Sequence, residues 1–138
     1  MSQEQYKIVR DYLKGVKPFR VAGKDIEWKE FWGKSGVFGK YLISKADGFP
    51  FSVTLKKFPK QEEIVREGGY VFHAHPTLEI CYIVEGKAKI YFEDVGVIEA
   101  DEESVIVQPP GLKHAVVSTD EETIIVSINI PPADWEER

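Results

Sequence analysis

The sequence predicts an all-β fold, a small closed barrel preceded by one short helix. Three observations predict it. β-rich runs recur between residues 37 and 130, Gly- and Pro-marked turns separate them at short intervals, and a helical period occurs only at the N-terminus. At 138 residues the chain can hold one domain with a real core and is too short for two comfortable ones. A hydrophobic fraction of 43% with 30% charged residues is that of an ordinary folded domain, not of a disordered chain.

The elements follow in order. Ser2 can cap a helix, with Gln5 three residues on as in a capping box, and Tyr6, Val9 and Leu13 share one face. Gly15 and Pro18 end it. Residues 1–36 are therefore expected to form an N-terminal helix and extension packed on the barrel or on a partner, with Trp28, Phe31 and Trp32 as its aromatic anchors. Residues 37–130 form the barrel. Its expected strands are Val37 to Ser44, Phe51 to Phe58, Tyr70 to His75, Leu78 to Val84, Lys87 to Phe92, Gly96 to Glu99, Ser104 to Val107, His114 to Ser118 and Thr123 to Ile130. Closing many short strands on themselves leaves no long edge exposed. Pro131-Pro132 stops the last strand, and residues 131–138 are a short tail.

Composition excludes several functions. The net charge is −5 and the charges are interspersed, whereas nucleic-acid binding needs clustered Lys and Arg. The single cysteine, Cys81, can form no internal disulfide, which suggests a reducing compartment, by default the cytoplasm. The N-terminus lacks the plan of a signal peptide, and no apolar run is long enough to cross a bilayer, so no membrane partner is expected.

The chemistry concentrates on the histidines, of which there are three. His73 and His75 are two apart, so on a strand both rings point to one face. Glu79 has the same parity and lies just past the Pro76-Thr77 bend. His114 follows the turn Pro109-Pro110-Gly111 and opens another strand. Three imidazoles and a carboxylate suit one divalent transition metal such as Fe, Mn, Ni, Cu, Zn or Co, and do not suit Ca or Mg.

At these residues the sequence resembles a cupin. The first cupin motif, G-x5-H-x-H-x3-4-E-x6-G, is matched by His73, His75, Glu79 and Gly86, with its opening glycine one position off at Gly68. The second, G-x5-P-x-G-x2-H-x3-N, is matched by Pro109, Gly111 and His114, while Glu103 replaces its first glycine and Ser118 its asparagine. The resemblance covers about residues 37 to 130 and implies a double-stranded β-helix, or jelly-roll, barrel. It further implies a metal near the middle of the barrel with coordination positions left for water, oxygen or substrate.

By parity, Val71, Cys81, Ile83 and Val116 are expected to line the interior, with Tyr41 and Tyr70 as candidate pocket hydroxyls. An apolar lining beside an open metal site favours a metal-dependent enzyme on a small molecule, dioxygenase-like or otherwise oxidoreductase. The alternatives are a metal-dependent sugar isomerase, epimerase or lyase, and a non-catalytic small-molecule-binding module. A phosphosugar would want Arg or Lys beside the metal, and no arginine lies on a strand carrying a ligand. Lys87, Lys89 and Lys113 are near the motifs and read as solvated. Apolar surface in the segment before the first motif suggests a homodimer.

Overall fold

A computed structural model describes residues 2–61, 74 and 76–134. A helix, α1, spans Gln3–Tyr12. The strands are β1 (Lys29–Glu30), β2 (Phe38–Ile43), β3 (Ser52–Phe58), β4 (Leu78–Glu85), β5 (Ala88–Phe92), β6 (Gly96–Ala100), β7 (Val105–Gln108), β8 (His114–Thr119) and β9 (Thr123–Ile130). The expected strand Tyr70 to His75 lies outside the described residues. β1 escaped the sequence reading because its two residues, Lys and Glu, carry no β-forming signal. It exists as the edge partner of Phe38 and Gly39.

All pairings are antiparallel, in a six-stranded sheet of order β1-β2-β3-β9-β4-β7 and a three-stranded sheet of order β6-β5-β8. One apolar core takes Phe58, Ile83, Ile106 and Ile125 from the first sheet and Ala88, Ile90, Phe92 and Ala100 from the second, so the two pack face to face. A bridge from Gln61 to Thr119 ties the chain just after β3 to β8, linking the sheets at one side. This is the jelly-roll expected from the motifs.

Gly86 makes the step from β4 to β5. It stands at φ +94, and a Cβ there would come within 2.7 Å of the Glu122 carbonyl oxygen and 2.8 Å of Thr123 Cα. Backbone cannot yield as a side chain does, so the first motif's closing glycine has a steric reason. Glu103 makes the return step from β6 to β7, with its N–H donating to the Ile83 carbonyl at 3.0 Å. It holds φ +67, so the glycine-like conformation of the second motif survives although its glycine does not.

The N-terminal aromatics pack on the barrel. The Trp28 ring lies beneath Lys40 and Lys57, with Nζ at 4.7 and 4.4 Å from its centroid. Phe31 is fully buried in a second cluster with Ala133, against which Trp32 and Tyr41 pack. Gly39 makes this possible, since a Cβ there would overlap the Phe31 ring. Among the described residues no helix is long and apolar enough to cross a membrane.

The six-stranded sheet inverts the usual polarity. Along β3, Ser52, Thr54 and Lys56 point inward and are buried, and along β9 so do Thr123, Ser127 and Asn129. The intervening Val53, Leu55, Ile124, Val126 and Ile128 face outward and are only half-buried. Period-2 alternation is present, as strand geometry requires, but polar side chains occupy much of the enclosed face.

Candidate functional site

The registers assemble the polar interior in rows. Ser52 pairs with Asn129, Asn129 with Glu79, and Glu79 with Gln108, a line of four buried polar residues across β3, β9, β4 and β7. One inward step along, Thr54, Ser127, Cys81 and Ile106 form the next row. One further on, Lys56, Ile125 and Ile83 begin the apolar core. Glu79 thus stands between the amides of Gln108 and Asn129, with core beneath it.

The two carboxylate oxygens of Glu79 have different partners. Oε2 accepts from Lys56 Nζ at 3.3 Å and from the Cys81 thiol at 3.2 Å. Oε1 faces His114 Nε2 at 3.9 Å, beyond hydrogen-bond reach. Glu79 and His114 are 1% and 5% exposed, so this gap lies in a largely water-excluded interior. His114 Nδ1 sits 2.9 Å from the Leu112 carbonyl oxygen. A carbonyl can only accept, so Nδ1 carries a proton and donates it to Leu112, which turns Nε2 toward the carboxylate. Nε2 and Oε1 thus face each other across a buried gap.

A carboxylate oxygen and an imidazole nitrogen are donor types that would suit a divalent transition metal. An Nδ1–H donated to backbone is the outer-sphere hydrogen bond that metal-ligating histidines use. Among the described residues no group of three or more His, Cys, Asp or Glu side chains is gathered to hold a metal. Two of the four expected ligands, His73 and His75, lie outside the described residues, as do Tyr70 and Val71.

The remaining expected lining residues go to different places. Cys81 does sit beside Glu79, its thiol pushed well above the usual range by burial and then by the neighbouring carboxylate. Ile83 belongs to the apolar core, and Val116 packs against that same core. Tyr41 donates its hydroxyl to Asp134 at 3.2 Å and stacks near Phe31, ring centroids 5.4 Å apart. Cys81 and Ile83 face the interior as expected, and around Glu79 the described side chains also include the polar Lys56, Gln108 and Asn129. Sequence reasoning missed Lys56, Gln108 and Asn129. Their signal was parity, since each alternates with outward-facing Val, Leu or Ile, but a lysine in a strand reads as solvated.

No family model matches this sequence, and no curated protein matches it. Solved structures do. KdgF from Halomonas sp. superposes with a TM-score of 0.67 at 16% identity, covering 84% of this chain and 97% of its own. An RmlC-like cupin from Shewanella frigidimarina gives 0.66 at 19% identity, covering 86% and 95%. The chain has the cupin fold. The DMSP lyase DddQ from Ruegeria pomeroyi is a third similar structure, with a TM-score of 0.64 at 20% identity over 85% of this chain and 61% of that one. Glu79 and His114, which match the first-motif glutamate and the second-motif histidine, approach to 3.9 Å within this fold.

Proposed function

We propose that this cupin is a metal-dependent enzyme acting on a small polar organic molecule by isomerase-, epimerase- or lyase-type chemistry. The observation that carries the reading is the buried approach of Glu79 Oε1 to His114 Nε2, which brings the two described motif residues face to face. His73, His75, Glu79 and His114 would hold the ion, which when bound supplies Lewis-acid polarisation of a substrate oxygen.

The chain's own groups have separable roles. Leu112 holds His114 in one tautomer. Lys56 and Cys81 hold Glu79 Oε2, which fixes the carboxylate plane and leaves Oε1 turned to the histidine. Lys56 also places a buried positive charge beside the site, a feature whose absence from the motif strands had counted against a phosphosugar. The oxygen-dependent reading rested on an apolar lining, and the described side chains beside Glu79 are polar instead. One structural neighbour is named as a lyase, consistent with chemistry that needs no oxidant.

The test is elemental analysis of protein purified without a metal-affinity tag, followed by oxygen-uptake and isomerase or lyase assays on small acids and enols. The expected result is one transition metal per chain with no oxygen uptake. Glu79→Gln and His114→Ala should each weaken metal binding by more than the roughly 10–100-fold typical of outer-sphere changes. Stoichiometric oxygen consumption would return the protein to dioxygenase chemistry. A metal-free protein that turns nothing over would make it a binding module.

A further inference from the structure

Two amides flank Glu79, and each presents a buried oxygen without a partner. Gln108 is 3% exposed and Asn129 is fully buried, yet Gln108 Oε1 and Asn129 Oδ1 receive no hydrogen bond. Their nitrogens are committed: Gln108 Nε2 donates to Cys81 Sγ at 3.4 Å and Asn129 Nδ2 to Thr77 Oγ1 at 2.9 Å. The orientation of Gln108 is fixed by its neighbour, because the Cys81 thiol spends its own proton on Glu79 and can only accept from the amide. Buried carbonyl oxygens are rarely left unpaired, and the exceptions call for a ligand or bound water that supplies the donor.

Their placement points to a ligand. Both residues pair directly with Glu79, one on each neighbouring strand, and both face inward. The two acceptors therefore bracket the candidate metal ligand at one level of the barrel. Their backbones are two strand spacings apart, about 9.6 Å, with Glu79 between them.

We propose that Gln108 and Asn129 form a recognition subsite for the hydroxyl groups of a small hydroxylated carboxylic acid. The proposal rests on the metal reading above for the carboxylate and on the two amides for the hydroxyls. The acceptors require donors, which excludes ethers, ketones and unsubstituted acids as complete fits. Hydroxyl groups satisfy them better than ammonium groups do, since Lys56 already places a cation in this interior. Lys56 offsets the charge of Glu79, so a bound divalent ion leaves the interior net positive and favours an anionic ligand. Hydroxyls on the flanking amides and a carboxylate toward the metal describe a sugar acid or a shorter relative.

The experiment is calorimetric titration of the metal-loaded protein with two matched series. Glycerate, threonate and gluconate are compared with propionate, butyrate and hexanoate, which have the same carbon chains without hydroxyls. At least one hydroxy acid is expected to bind about tenfold or more tighter than its unsubstituted match. Gln108→Met and Asn129→Leu should each reduce that preference, read as the ratio of the two affinities within one variant, by about fivefold, the usual worth of one hydrogen bond at a buried site. Equal affinity for the two series, or a preference that both variants retain, overturns the proposal. The wild-type comparison needs no variant, so a substitution that fails to fold does not remove the test. Metal content of the same samples is read separately. A protein that holds its metal but ignores hydroxyls refutes the subsite alone, whereas one that holds no metal refutes the metal reading.

Discussion

The two sheets make unequal contributions to the interior they share. The three-stranded sheet turns Ala88, Ile90, Phe92 and Ala100 inward and adds His114 at the start of β8. The six-stranded sheet turns Ser52, Thr54, Lys56, Glu79, Gln108, Ser127 and Asn129 inward, and joins the apolar core only through Phe58, Cys81, Ile83, Ile106 and Ile125. Burying hydroxyls, amides and an ion pair contributes little net stability even when they are satisfied. One wall therefore supplies much of the cohesion and the other most of the chemical groups, and the candidate site lies where His114 crosses from the first to the second.

The contrast can be broken from either side. Phe92→Ala, on the apolar wall, should cost about 3–5 kcal/mol, measured by denaturant unfolding. Lys56→Met, on the polar wall, removes about as much hydrocarbon from water as before but leaves Glu79 without its cation. In metal-free protein it should cost about 3 kcal/mol, and Lys56→Met with Glu79→Gln should recover most of that. If the single and double variants unfold at the same denaturant concentration, the pair is not what holds that wall.

The two crossings between the sheets sharpen the comparison. Gly86→Ala meets backbone at φ +94 and should destabilise by about 2 kcal/mol or more. Glu103→Gly has the opposite sign, because a glutamate already holds φ +67 there, and should stabilise by up to about 1 kcal/mol. A loss of stability in Glu103→Gly would mean that its side chain contributes more than the backbone conformation costs.

The smallest effect belongs to the outside of the three-stranded sheet, where Lys87 meets Glu99. The hydrogen bond and charge of Lys87 hold the Glu99 carboxyl below its ordinary 4.5, and the same contact raises Lys87 above 10.5. The contribution of the depressed carboxylate is present above pH 4.5 and lost as pH falls through its folded value. That of the raised ammonium is present below pH 10.5 and lost as pH rises through its folded value. Lys87→Gln should therefore unfold slightly earlier than wild type at pH 7 and lose that difference in acid. A difference that persisted at pH 2 would assign it to packing.

Much of this was legible in the sequence, for reasons that differ by residue. Glu79, Cys81 and Ile83 were placed on one inward face by period 2 alone, and their burial agrees. His114 was found because Pro109-Pro110-Gly111 announces a turn before a strand. Lys56 was not found, since nothing local says that β3 lies across β9 from β4. Gln108 and Asn129 were passed over because the reading assumed that apolar parity faces the core, and here the inner wall reverses it. Glu103 was read as a lost turn residue, yet position 103 kept the backbone conformation while changing the side chain. The outward β4 and β7 side chains Tyr82, Val84, Val105 and Val107 are 40%, 45%, 58% and 61% exposed, adding apolar surface on the barrel itself to the segment from which a homodimer was expected.

The order of the larger sheet sets a schedule for assembly. β9 is the last strand among the described residues but lies in the interior of the sheet, hydrogen-bonded to β3 on one side and β4 on the other. Lys56 cannot be brought to Glu79 by neighbouring strands until residues 123–130 have inserted between them, a pairing of long sequence separation and slow closure. A ribosome-bound chain halted before that insertion would carry both motifs and still lack a finished pocket.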